Sequence, residues 1–312
     1  MKALSSPKVK SLLPLLCGYA GYILWGFSYH FITVAQKTAP SSVLLSHRFI
    51  VACVIMLVLV ATKLVKVNFR NKKWWSAILL VAFQVLYFLF ETATSKHTND
   101  SFASAASAVS PVISILLAMA FLQEFPTKRQ SIFCLLPIIG VIMVTLAGKS
   151  LGVVTTVGVV FLVLSTFTSG AYRTINRMAS KYFSPFERTL LIFICSSLSF
   201  TVTAMRDVHW DLQAYVTPLT VPSYLWSMLF LSTVCSLICH LLVNYATANL
   251  PVVKISSLGA VTTLVAMIVG LVKGNPWNIT FLIGSVLIIV GIWQVTKVPK
   301  VKEEKTELKI EN

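Results

Sequence analysis

Acidic residues are scarce in this chain: ten Asp and Glu in 312 residues, four of them in the last dozen positions, and no two together within one apolar segment. That scarcity removes the paired carboxylates and His-Asp constellations on which a hydrolytic or lipid-modifying centre would be built. The six cysteines, Cys17, Cys53, Cys134, Cys195, Cys235 and Cys239, all fall in apolar segments, so no loop framework of disulfides is indicated. Cys235 and Cys239 stand one turn apart with His240 beside them. Without a second ligand cluster they are small buried hydrophobes rather than a metal site. Charge as a whole is thin, at 12% of residues against 56% hydrophobic, with mean hydropathy +0.82. A soluble domain of this length needs a far more polar surface, so the expected class is an all-α integral membrane protein.

Apolar runs of about 20 residues match the hydrocarbon thickness of a bilayer. Ten are found, near 12–35, 42–62, 74–93, 103–123, 130–147, 153–175, 185–205, 223–246, 252–272 and 278–296. The first follows Lys2, Lys8 and Lys10 but is too long, and lacks a convincing cleavage site, for a signal peptide. The net charge of +16 raises the question of nucleic acid, and the distribution of the charges answers it. Alternate loops and the two ends collect 20 of the 26 Lys and Arg, the opposite loops hold five, and Arg48 stands alone inside the second segment. By the positive-inside rule both termini are cytoplasmic, and the basic residues orient the chain and meet anionic headgroups; nucleic acid is not the partner.

Within the spans, the stretch from Ala103 to Glu124 is crowded with Ala and Ser, and Pro111 loosens the carbonyl of Ser107 near mid-membrane, where lipid cannot satisfy it. That carbonyl must meet protein, water or a ligand. Tyr22, Trp25 and Tyr29 form an aromatic stripe in the first helix, beside Gly26. Arg48 either snorkels to the interface, the simpler reading, or faces a polar cavity as counter-ion to a carboxylate. Tyr87 and Glu91 lie one turn apart, and Glu124 is expected to join Lys128 and Arg129 at the inner interface. Gly148-Lys149-Ser150 lacks the first glycine of a phosphate-binding loop, so no nucleotide cofactor is expected. Asn99-Asp100-Ser101 and Asn278-Ile279-Thr280 match the glycosylation pattern without context. The segment 298–312 is a charge-dense extension.

The second half echoes the first. Phe90-Glu91-Thr92-Ala93 aligns with Val243-Asn244-Tyr245-Ala246, which sets Tyr87 on His240 and gives each half a polar pair one turn apart. Ile139-Gly140-Val141 matches Val290-Gly291-Ile292 at nearly the same offset, and Ser256 to Ala260 matches the small residues before Pro111. Five helices are an odd number, so the copies are inverted: residues 1–148, 149–297 and a cytoplasmic tail 298–312. Inverted copies are the arrangement of a carrier with a midplane site. Tyr87/Glu91 would lie towards the outer end of its path and His240/Asn244 towards the inner.

The residues Leu24-Trp25-Gly26-Phe27, Arg48-Phe49, Ser110-Pro111-Val112, Phe121-Leu122-Gln123-Glu124, Gly140-Val141, Asn244-Tyr245-Ala246 and the span Gly284 to Gly291 resemble, in order and spacing, the EamA-like branch of the drug/metabolite transporter superfamily. The resemblance covers nearly the whole chain. It implies a carrier of five plus five helices with cytoplasmic termini in the cell membrane, moving small organic metabolites, often amino acids, commonly outward. In the second copy Thr263 stands near the family's Pro and Asn275-Pro276 where its Glu would fall, so Pro111 and Glu124 keep their roles in the first copy alone.

The expectation is therefore a cavity lined by helices 1, 3, 4, 6, 8 and 9. Trp25 and Tyr29 would stack on the substrate, Tyr87, Glu91, Ser107, His240 and Asn244 would make polar contacts, Pro111 would supply the broken backbone, and Tyr172 is a further contact. Glu91 and His240 are the titratable candidates for proton coupling. The competing readings are a non-transporting sensor or assembly factor and a membrane-embedded enzyme. Two inverted copies serve alternating access and have no evident use in a scaffold. Substrate identity, coupling and oligomeric state are open at this level.

Overall fold

The computed structural model describes residues 7–97, 107–146, 155–274 and 278–297. Asn99, Gly148 to Ser150, Asn275-Pro276 and the segment after Lys297 lie outside these residues. The described chain runs through α1 (Pro7–Ala35), α2 (Ser41–Ala61), α3 (Trp74–His97), α4 (Ser110–Leu122), α5 (Lys128–Leu146), α6 (Thr156–Ala179), α7 (Pro185–Asp207), α8 (Pro222–Asn249), α9 (Val252–Val272) and α10 (Ile279–Lys297). Among the described residues nine of these are long and apolar enough to cross a membrane; α4 has 13 residues and is shorter. Their outward faces carry residues such as Leu116, Val163, Leu198, Ile268 and Ile289, each more than half exposed, as a lipid-facing surface requires.

Local chemistry sets the helix ends. Thr127 with Gln130 and Ser184 with Glu187 form capping boxes at the starts of α5 and α7, and Pro185 and Pro222 occupy first-turn positions where no amide hydrogen is needed. The odd-numbered helices begin, and the even-numbered ones finish, at what we term the basal end; the opposite end is distal.

Packing repeats with a two-fold pattern. Helix α1 packs on α8 and α9, and α6 packs on α3 and α4; α2 lies along α7, α4 along α9 and α5 along α10. The α2–α7 and α5–α10 pairs run antiparallel, since Ser46 near the start of α2 meets Thr201 late in α7, and Arg129 at the start of α5 meets Gln294 at the end of α10. Glycines mark the tightest approaches. A Cβ on Gly26 of α1 would fall 2.4 Å from Val265 Cβ and 3.0 Å from the Thr262 carbonyl of α9; one on Gly170 of α6 would fall 2.7 Å from Ile113 Cβ and 2.9 Å from the Ser110 carbonyl of α4. The two contacts share one spacing, a carbonyl three residues before a β-branched side chain.

The break expected at Pro111 is present. Ser107 is helical, Ala108 and Val109 form a turn, and α4 restarts at Ser110 with Pro111 in its first turn. Helix α9 is interrupted as well, between Leu258 and Ala260 at Gly259, although Thr263 stands in place of a proline. Helix α8 contains a π-helical stretch, Leu231–Ile238.

Candidate functional site

Between the two halves lies a cavity of about 690 Å³. It reaches the distal end, where the exposed Thr33, Gln36 and Glu91 border it, and extends down to Cys134 and Pro137 of α5 and Ser256 and Ser257 of α9. Both helix interruptions face it: Ser107, Ala108 and Pro111 from α4, Gly259 and Ala260 from α9. Backbone that departs from regular helix at membrane depth is tolerated where it borders such a space.

Of the expected contacts, Tyr29, Tyr87, Glu91, Ser107 and Pro111 line the cavity. The one-turn spacing of Tyr87 and Glu91 places the phenol so that its hydroxyl donates to Glu91 Oε1 at 2.6 Å. Trp25, Tyr172, His240 and Asn244 do not line it. The lining also departs from the expected helix set, drawing on α2, α5 and α10 in addition, with no residue from α7 or α8.

The reason lies in how α8 is turned. In its π-helical stretch the ladder is wider than in an α-helix and carbonyls are offered sideways. The Cys235 carbonyl takes the Trp25 Nε1–H at 2.5 Å, and the Ser236 carbonyl takes His240 Nδ1–H at 2.8 Å. The His240 ring is enclosed by Trp25 and Phe193 at centroid distances of 5.2 and 5.4 Å. Asn244 is wholly buried: its amide donates to Thr189 Oγ1, its Oδ1 accepts from Asn176 Nδ2, both at 2.8 Å, and its carbonyl accepts from Arg188 Nη2 at 2.7 Å. Tyr172 packs against the core shared by α2, α3, α6 and α7. Trp25→Phe should accordingly lower thermal stability by about 1 kcal/mol, the net worth of one such hydrogen bond, and leave substrate affinity unchanged; paired melting and binding curves check this.

Arg48 does not snorkel. It is 7% exposed, its Nε donates to Ser236 Oγ at 2.6 Å, its guanidinium lies 5.7 Å from the Phe49 centroid, and it borders the cavity. Seven residues inside α2, it finds a hydroxyl on α8 as its partner. Arg173 of α6, which the charge pattern groups with the loop cations, is instead a cavity residue. Its Nη1 donates to Ser110 Oγ at 2.7 Å, at the restart of α4. Arg188, grouped with the same loop, is fully buried in α7. The signal that points to them is Arg173, Asn176 and Arg177 at helical spacing near the end of an apolar run.

Below the cavity an ion-pair cluster joins the basal helix ends. Glu124, expected beside Lys128 and Arg129, instead accepts from Arg177 Nε at 2.9 Å on Oε1 and from the Val252 amide at 2.8 Å on Oε2. Arg177 Nη1 also donates to the Thr247 carbonyl at 3.1 Å and to that of Ala248. One carboxylate and one guanidinium thus tie the basal ends of α4, α6, α8 and α9 together. The left-handed Gln123 that ends α4 turns the chain so that Glu124 points back across the bundle, away from its neighbours in sequence. Arg129 bonds Gln294 instead.

Comparison with known proteins gives a consistent answer. The family model described as the EamA-like transporter family matches residues 12–146 and 156–297, once in each half. The chain is 27% identical over 275 residues to Uncharacterized transporter YcxC of Bacillus subtilis (strain 168), covering 86% of this chain and 87% of that protein. It is 23% identical over 304 residues to Uncharacterized transporter YyaM of the same organism, covering 94% and 96%. A solved crystal structure shares the fold with a TM-score of 0.77 at 14% identity, over 91% of this chain and 96% of the other.

Proposed function

The chain belongs to the EamA-like transporter family, and on that premise we propose that it is a secondary carrier of small organic metabolites, such as amino acids or amphipathic compounds, working by alternating access and exporting its substrate across the cell membrane. In this reading ten transmembrane helices form two inverted five-helix repeats, residues 1–148 and 149–297, and the basal end with both termini is cytoplasmic. The observation that carries it is the cavity between the halves, which reaches the distal end, with the Glu124–Arg177 cluster joining four helices below it. That is the form of one end state of a two-state carrier, open outward and sealed inward. The antiparallel pairs α2–α7 and α5–α10 support the inverted repeat, and the uneven distribution of Lys and Arg supports the orientation. The outward direction rests on the family resemblance. Tyr29, Tyr87, Glu91, Ser107 and Pro111 are the substrate contacts we favour, with Trp25, Tyr172, His240 and Asn244 behind them as the packed and hydrogen-bonded support of the cavity wall.

The test is flux of a labelled metabolite panel in proteoliposomes, with and without a pH gradient, for the native protein and for Glu91→Gln and His240→Ala. Gradient-driven accumulation that is abolished by Glu91→Gln is the expected result and makes Glu91 the coupling group. If His240→Ala abolishes it while the melting temperature is kept, His240 shares that role. Flux of no solute in the panel, from a folded protein, would overturn the carrier reading.

A further inference from the structure

Among the described residues that line the cavity, three are charged: Arg48, Glu91 and Arg173. The two arginines share this space with apolar side chains such as Leu44, Val141, Met267 and Phe281 and with hydroxyls such as Ser165, Ser169 and Thr263. Glu91 already accepts the Tyr87 hydroxyl. A guanidinium carries five N–H donors in a planar fork. Arg48 commits its Nε to Ser236, and among the described residues no group accepts from its Nη1 or Nη2. Arg173 commits Nη1 to Ser110 and meets the Tyr22 hydroxyl. Each arginine is therefore fixed by a serine on a different helix, Ser236 on α8 and Ser110 on α4, with further donors left for a solute.

We propose that the cavity selects a solute bearing one carboxylate, and that Arg48 and Arg173 form the subsite for it. This rests on the carrier reading above. The planar fork of each Arg matches a carboxylate in geometry. The hydrocarbon part of the solute lies against apolar side chains such as Leu44, Val141 and Phe281. Neither arginine is free to follow the solute out, because each is anchored by its serine; the subsite stays with the protein when the cavity changes sides.

The test compares three probes with one carbon skeleton: L-leucine, 4-methylpentanoate, which lacks its amine, and 3-methylbutylamine, which lacks its carboxylate. Binding is measured by calorimetry on the full chain in lipid nanodiscs. We expect both carboxylates to bind and the amine to bind at least about tenfold more weakly. Arg48→Gln and Arg173→Gln should each weaken the carboxylates by about 10- to 100-fold, the value of a charge-assisted hydrogen bond, and leave the amine unaffected. Arg48→Lys, which keeps the charge and loses the fork, should fall between. Retained melting temperature and monodisperse elution show that a variant is folded; Arg173→Gln, at a half-buried position, serves if Arg48→Gln is not, and the three-probe comparison on the native protein needs no variant. L-leucine binding more tightly than 4-methylpentanoate identifies a zwitterion, and the reverse a simple acid; both support the subsite. Amine binding as tight as acid binding, carboxylate affinity unchanged in both Gln variants, or binding of none of the three overturns it. The carrier reading fails separately: flux of the amine alone keeps the carrier and removes the subsite, whereas 4-methylpentanoate binding with no flux of any solute keeps the subsite and removes the carrier.

Discussion

Glu124→Ala should unseal the basal end of the bundle and stall the transport cycle. The carboxylate holds two donors that belong to different helices, Arg177 Nε on α6 and the Val252 amide at the start of α9. A hydrogen bond to a charged group is worth about 1.5–3 kcal/mol. Glu124 and Arg177 are each about a fifth exposed, 23% and 20%, so water screens part of this, and we take about 3 kcal/mol for the pair of bonds together. In the alternating-access cycle we propose, at about 1.4 kcal/mol per decade, that shifts the balance between the two end states by roughly 100-fold towards the basally open one. The measurement is the reactivity of a cysteine placed at Ser257, deep in the cavity, in a background without the six native cysteines, towards a membrane-impermeant maleimide added from the basal side. Reactivity should rise by about that factor in Glu124→Ala, and by less in Glu124→Gln, which keeps an acceptor for Val252. Unchanged reactivity would mean that the seal is made elsewhere.

Gly140→Val should prevent α5 and α10 from docking and yield no monodisperse protein. A Cβ at Gly140 would sit 2.5 Å from the Gly284 carbonyl oxygen and 3.1 Å from the Ile288 amide nitrogen. These are backbone atoms of the facing helix, so no rotamer change relieves the overlap, and the whole helix must move. Overpacking typically costs about 1–3 kcal/mol where side chains can adjust, and more is expected here. Lipid offers no hydrophobic drive to hold the two helices together once close contact is lost. Ile139→Leu, one residue away on a half-exposed face, is the control and should elute and melt as the native protein does. A folded Gly140→Val variant with native melting temperature would show that the α5–α10 contact is not tight in the membrane.

Features whose causes are local are legible in the amino-acid sequence. Composition and run length mark the apolar spans, because crossing a bilayer demands about 20 apolar residues whatever their partners. Pro111 announces the interruption of α4, since the loss of an amide hydrogen acts on the backbone within one turn. Tyr87 and Glu91 meet because residues four apart on a helix always can. The internal echo puts Gly140 and Gly291 in corresponding positions, and both prove to be close contacts of the α5–α10 pair, Gly140 against Ile288 and Gly291 against Pro137.

The rotation of each helix and the identity of distant partners are not legible in this way. His240 and Asn244 repeat the spacing of Tyr87 and Glu91, yet one π-helical stretch and the buried Arg188 of α7 draw them into the protein and away from the cavity. The interruption of α9 at Gly259 has no proline to announce it. Arg48, Arg173 and Glu124 each had several chemically sensible partners, and the ones they took, Ser236, Ser110 and Arg177, are 188, 63 and 53 residues away. A charge in a low-dielectric interior goes to whichever donor or acceptor the packing brings within about 3 Å, and that distance is a property of the assembled bundle. The sequence by itself thus determined that the chain crosses the membrane repeatedly as two related halves; the tertiary structure decided which charges look into the space between them, because helix rotation is set by packing and not by any single helix.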